Sequence, residues 1–266
     1  MINRPLFFYE MKKSVKLLII FMVILTMYVG IIMTMYDPEY VDALGDFYRL
    51  MPEIMDAVGM DFQSGSMIEF MISYLYGFIL LVFPMVFSIF RANGLVAKYV
   101  DDSSIVPLLG APVRREKFID TQISVLLSGI VILIGYTTLL QLVIAHYTHP
   151  GELVYRDLLA LNLGLLALHF FIAGICFLAS CIFSETRNSL AFGAGIPSVM
   201  FIISMLANVG EEAEAAKYFT FFTLFQAEGL AAGETEAYWG AFILALGALI
   251  LFTLARFIFA RRDLHI

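Results

Sequence analysis

The sequence predicts an all-α polytopic membrane protein with six transmembrane helices, and three observations predict it. Of the 266 residues, 61% are hydrophobic and 15% charged, with a mean hydropathy of +0.88, a balance outside that of soluble domains. Six apolar runs reach the length of roughly 17 to 25 residues that a helix needs to cross hydrocarbon. Alternating segments with regularly spaced turns, the mark of an outer-membrane barrel, are missing from the sequence. The runs fall at approximately 17–36, 70–90, 119–145, 158–183, 190–207 and 239–260, and the chain reads as a single transmembrane domain, 1–266.

The first element, "NRPLFFYEMKKSVK", offers Asn3 as an N-cap and Pro5 in the first turn. A 100° wheel sets Phe7, Phe8, Met11 and Val15 against Glu10, Lys12, Lys13 and Lys16, which predicts an interfacial elbow helix before the first span. That span is longer than a signal-peptide core, and "YDPEYVDALGD" after it offers no small-residue cleavage site. In the loop 37–69, Val41, Leu44, Tyr48, Met51, Met55 and Val58 recur at helical spacing and predict short capping helices. Pro84 should kink the second span. Beyond it, "GLVAKYVDD" groups Leu95, Val96, Tyr99 and Val100 opposite Lys98, Asp101 and Asp102, a second interfacial helix.

Ser103 and Ser104 can cap a short turn over 105–109 that Gly110 and Pro112 end. A basic cluster, Arg114, Arg115 and Lys117, then leads into the third span. Two readings of it stand: a topology anchor beside lipid phosphates, or a docking surface for a partner. Within the spans, Gln141, Asn162 and His169 predict hydrogen bonds between helices. Pro197 should kink the fifth span, where Gly193 and Gly195 allow close packing, and Arg256 in the last span should snorkel. The run "YFTFFTLF", 218–225, is too short to cross and too apolar for water; it is either a surface helix or a segment buried in protein.

Charge sets the orientation. Thirteen of the sixteen Lys and Arg fall in the N-terminal segment, the second and fourth loops and the C-terminal tail, so both termini are expected in the cytoplasm. Fifteen of the 23 acidic residues fall in the opposite loops, so the net charge of −7 belongs to the outer face and does not speak for or against a nucleic-acid partner. Cys176 and Cys181 lie five apart near the inner end of the fourth span, with no sign of a disulfide or metal site, and His146 with His149 makes only two ligands. The chain contains no G-x-x-x-x-G-K-[ST] nucleotide loop and no H-E-x-x-H metalloprotease motif. The spans have essentially no carboxylate or lysine near the midplane, which disfavours an ion-coupled secondary carrier or channel without excluding it.

The stretch "LLGAPVRREKFIDTQ" and the N-terminal "FFYEMKKS" resemble the membrane subunits of ABC transporters of the type-2 export class. The loop pattern matches at Leu108, Leu109, Pro112, Val113, Arg114 and Arg115; the elbow pattern matches at Glu10 with Lys12 and Lys13. One serine of the family's loop motif is missing, and the acidic helix before it is reduced to Asp101 and Asp102. The resemblance implies a non-catalytic permease with an N-terminal elbow, a cytoplasmic coupling helix between spans 2 and 3 and a re-entrant hairpin between spans 5 and 6. It implies ATPase-coupling roles for Lys98, Asp101, Asp102, Arg114, Arg115, Glu116 and Lys117, and an outer gate at Phe221, Phe222 and Phe225. No cofactor is expected on this chain; ATP and magnesium belong to a partner ABC ATPase subunit. A second permease subunit and membrane lipid are the other expected partners, with no nucleic acid, and the place is a cell membrane, the inner membrane of a bacterium.

Overall fold

The computed structural model describes residues 2–37, 66–105, 114–208 and 216–262. Among them the chain is helical throughout: α1 (Arg4–Met35), α2 (Met67–Met71), a π-helical segment (Ile72–Ile79), α3 (Leu80–Leu95), α4 (Ala97–Asp101), α5 (Arg115–Thr148), α6 (Tyr155–Ile182), α7 (Thr186–Ala207), a 3₁₀ turn (Phe221–Leu224), α8 (Ala227–Ala232) and α9 (Thr235–Arg261). Six segments are long and apolar enough to cross a membrane: α1, α5, α6, α7, α9 and the composite Met67–Asp101. The expected capping helices of the first outer loop, and the 106–113 stretch that holds most of the expected coupling turn, lie outside the described residues.

Helix α1 corrects the reading of the N-terminus. Asn3 does cap it, its Oδ1 accepting from the Leu6 amide at 3.4 Å, with Pro5 in the first turn. From Arg4 the helix then runs unbroken for 32 residues, about 48 Å at 1.5 Å per residue, so the elbow is not a separate element. The wheel separated an apolar from a polar side without saying which packs on protein, and the packed face takes residues from both, Phe7 and Met11 among them. Glu10 and Ser14 are buried in line with Leu18, Phe21, Leu25, Val29 and Met33, while Phe8 and Val15 are exposed. The physical reason is that lipid solvates apolar side chains as well as a protein core does, so hydrophobicity does not mark the packed face of a membrane helix.

Helix α6 is the central strut, packing against α3, α5, α7, α8 and α9. It also completes the hydrogen bonding of two neighbours. A proline has no N–H for the carbonyl four residues before it. Pro84 in α3 therefore leaves the Leu80 carbonyl without its helical partner, and His169 Nε2 of α6 donates to it at 2.8 Å. Pro197 in α7 does the same to the Gly193 carbonyl, which accepts from the Cys176 thiol of α6 at 3.1 Å. His169→Leu should thus destabilise by about 1 to 3 kcal/mol, measured as a lower unfolding temperature in detergent, because a buried carbonyl loses its donor.

Gln141 and Asn162 form the expected contact between spans: Gln141 Oε1 accepts from Asn162 Nδ2 and from the Tyr76 hydroxyl, each at 3.1 Å. Tyr76 sits in the π-helical segment, a wider winding that no sequence pattern announced. The remaining surface of the bundle is apolar. Exposed rows such as Ile20, Val23 and Met27 on α1 and Phe242, Ile243 and Leu249 on α9 suit contact with lipid chains.

Candidate functional site

The polar chemistry concentrates at the end of the bundle that carries both chain termini, the basic end. Glu10 is fully buried, and Arg91, at the end of α3, reaches it with Nη2, 2.8 Å from Oε2 and 2.8 Å from the Glu10 carbonyl. The Tyr99 hydroxyl of α4 donates to Glu10 Oε1, and Lys13 Nζ donates to that hydroxyl at 2.7 Å. The Lys13 ammonium stands 4.4 Å from the Tyr9 ring centre and 5.1 Å from that of Tyr99. A buried carboxylate needs such company, since an unpaired one carries a cost of several kcal/mol.

The segment after α3 is tied into the spans at several points. The helix breaks at Val96, whose φ of −133° and ψ of −66° are not helical, and the freed Ala97 amide donates to Ser180 Oγ of α6 at 2.8 Å. Of the apolar group expected for this helix, Leu95, Val96 and Val100 are buried and Tyr99 half-buried, with Lys98, Asp101 and Asp102 exposed opposite them; Ala97 is buried as well. Asp101 Oδ2 accepts from the Thr186 amide at 3.3 Å and so caps α7 from another segment. Asp102 turns instead to Ser104, accepting from its amide at 3.0 Å and from its hydroxyl, and these bonds hold the carboxyl below its usual range. Asp102 thus caps the turn around Ser103, which adopts φ +56°. The turn over 105–109 that Ser103 and Ser104 were expected to cap lies, beyond Ile105, outside the described residues.

The expected coupling residues beyond the loop separate into two kinds. Arg114 is the N-cap of α5 and is exposed, as are Glu116 and Lys117. Arg115 faces the protein: its Nη1 donates to the Arg262 carbonyl at 2.8 Å, joining α5 to the end of α9. Arg256 does not simply snorkel, since its guanidinium pairs with Asp120 at 3.0 Å and Glu116 at 3.3 Å. Arg262 Nη1 in turn donates to the Cys181 carbonyl at 2.8 Å. Lys12 is exposed, on a different side of α1 from Glu10. Arg91 and Tyr99 were the residues that sequence reading missed. Carrying the 3.6-residue row of Met33, Val29, Leu25, Phe21, Leu18 and Ser14 one step further down α1 arrives at Glu10, and that step signals a buried acid in need of a cation.

At the opposite end, the short apolar run 218–225 contains the 3₁₀ turn, and α8 follows it. Thr220 caps the turn and anchors it, its hydroxyl donating to the Met200 carbonyl at 2.9 Å. Phe222 is buried and stacks on Phe221 at 4.7 Å, and the pair extends an aromatic chain through Phe171 of α6 at 5.1 Å and Phe201 of α7 at 5.4 Å. Phe222 and Phe225 line a cavity of about 470 Å³ whose wall includes Tyr76 and Phe201 and whose rim carries Lys217, Glu228 and Glu234. Gly240 of α9 lets the Leu224 carbonyl approach so closely that a Cβ there would collide with it. Gly240→Val should therefore displace the 3₁₀ turn at a cost of about 1 to 3 kcal/mol, visible as faster proteolysis within 216–234. Comparison with known proteins yields no match: no family model fits the chain, and no curated protein or solved structure is significantly similar to it.

Proposed function

We propose that the chain is the permease subunit of an ATP-driven ABC exporter of the type-2 class, residing in a cell membrane and coupled through its 91–117 loop to a separate ATPase subunit that holds ATP and magnesium. The observation that carries this reading is the anchoring of the segment 91–102. Arg91 and Tyr99 grip α1, the Ala97 amide grips α6 and Asp101 grips the start of α7. A displacement of this segment by a motor protein would reach three spans at once through short hydrogen bonds, which is what a coupling element requires. The carrier alternative asks for ionisable groups at midspan. Among the described residues, the buried ion pair Glu10–Arg91 lies at the basic end instead.

On this reading the segment 218–232 is a re-entrant hairpin and the outer gate. Its support is depth: the Phe221 ring lies against Phe171, sixteen residues or about 24 Å along α6 from Tyr155. Irregular backbone at such depth is tolerated where protein covers it or where it lines a cavity. Replacing Phe222 or Phe225 by Ser should leave the protein assembled but make transport leaky, read as substrate efflux from vesicles without ATP. Efflux at the native rate, with the loop lying on the membrane surface, would sink the gate.

Six spans make a narrow pathway, so the working unit should hold two permease copies and two ATPases. The testing experiment is co-purification with a lone ABC ATPase encoded beside this chain, followed by native mass spectrometry and ATP turnover. Stimulated turnover by a two-plus-two complex is expected; a fully active complex with one permease copy refutes the stoichiometry.

A further inference from the structure

We propose that the cavity at the basic end is a lipid site: it receives the phosphate of an anionic phospholipid, whose acyl chain lies along the exposed stripe of α1. The inference does not rest on the transport reading. The cavity holds about 630 Å³, and Tyr9, Lys13, Arg91, Lys98, Tyr99 and Asp102 are among the residues that line it.

Charge selects the ligand's sign. Three cations face one lining carboxylate, and Asp102 is already occupied by the amide and hydroxyl of Ser104. Glu10 behind the wall offsets only part of this charge. The cations also keep hydrogen-bond donors to spare. Arg91 is buried yet spends only Nη2 on Glu10, and its Nε–H has no partner. Its Nη1 lies toward Gly94, another lining residue: a Cβ on Gly94 would stand 3.9 Å from it. The Lys13 ammonium is held between two tyrosine rings and donates one of its three hydrogens to Tyr99, and Lys98 is exposed. A tetrahedral phosphate, with several acceptor oxygens and a negative charge, is the chemistry that such an arrangement of ammonium and guanidinium groups fits.

The surroundings select the source of the phosphate. On α1, Tyr9 and Lys13 continue in alternating steps of three and four to Lys16, Ile20, Val23 and Met27, every one of them exposed. One helix face therefore leads from the cavity through a basic collar to a bare apolar row inside the membrane. A headgroup in the cavity sets its acyl chain on that row, so one lipid meets both the cations and the apolar side chains, which a soluble phosphate does not do. Basic pockets between spans at the cytoplasmic leaflet are a known class of anionic headgroup site, and the charge count assigns this end to that leaflet.

The test titrates the purified full chain in neutral detergent with phosphatidylglycerol, with phosphatidylcholine and with inorganic phosphate, and reads bound lipid by native mass spectrometry. Phosphatidylglycerol should be retained and phosphatidylcholine not. Lys98→Gln and Lys13→Gln should each weaken binding by about fivefold, and the two together by about thirtyfold. Lys12→Gln makes the same charge change outside the cavity wall and should leave binding unaltered. Lys98 is exposed and contributes only its carbonyl to the fold, accepting from the Asp102 amide at 3.1 Å, so its side-chain variant keeps the test valid if Lys13→Gln fails to fold. Equal weakening by Lys12→Gln would reduce the effect to diffuse surface charge and overturn the site. Displacement of the lipid by an equal concentration of inorganic phosphate would assign the cavity to a soluble anion and overturn the lipid.

Discussion

Glu10→Ala should lower the unfolding free energy by about 3 to 5 kcal/mol, because it leaves the Arg91 guanidinium buried without its counter-charge. The Tyr99 hydroxyl and the Lys13 ammonium lose their acceptor and nearby charge in the same step, so the tie between α1 and α4 opens as well. Removing both charges separates these effects. Glu10→Leu combined with Arg91→Met should recover most of the stability, since two apolar side chains of similar volume fill the site without desolvating an ion. Thermal or denaturant unfolding in detergent measures both variants. A loss below about 1 kcal/mol for Glu10→Ala would mean that water reaches the pair and that it behaves as a surface contact.

Reversing charge at Arg114 should abolish stimulation of the partner ATPase while the protein stays folded and correctly inserted. Arg114 is exposed at the N-cap of α5, so a carboxylate there meets the partner directly and converts attraction into repulsion. Arg115→Glu should act differently, since Arg115 is spent on the Arg262 carbonyl and a carboxylate would be repelled by it. It should loosen the end of α9 and lower stability by about 1 to 3 kcal/mol, with partner binding affected only secondarily. The anchor alternative forecasts disturbed topology from either reversal, because both remove positive charge from the same loop. Cysteine accessibility beside a pull-down separates the outcomes. Normal ATPase binding by correctly inserted Arg114→Glu protein would remove Arg114 from the docking surface.

The spans were legible because length and apolarity are what a bilayer demands of a helix, and all six appear within a few residues at most of their ends except where helices extend past the membrane. Arg4–Met35 shows that exception: hydropathy marks where 17–36 meets lipid but not that the same helix continues through Glu10. Which face packs was harder, since Phe8 and Glu10 both obey membrane physics with opposite outcomes, one facing lipid and the other a buried arginine. The prolines were visible in the sequence as kinks, but the side chains that relieve them, His169 and Cys176, come from another helix and can be found only in three dimensions. The π-helical winding at Ile72–Ile79, which carries Tyr76 and its bond to Gln141, has no signature in residue type or spacing. Of the expected functional residues, Phe222 and Phe225 line one cavity while Phe221 stacks on Phe222 and faces Phe171, whereas the basic loop divides between exposed Arg114 and Lys117 and inward-tied Arg115.

The most direct test of the coupling account is a disulfide crosslink that fixes α4 to the start of α7, made by Asp101→Cys with Thr186→Cys in a background without Cys176 and Cys181, in vesicles carrying the ATPase partner. These two positions already touch through the Asp101 carboxylate and the Thr186 amide. If segment 91–102 drives α7 through this contact, the reduced double variant, which lacks the Asp101 carboxylate, should hydrolyse ATP with impaired transport, and oxidation, which ties the two elements together again, should restore transport. Equal ATP-driven transport by the reduced and the fully crosslinked protein would show that this contact does not carry the motion, and would contradict the account.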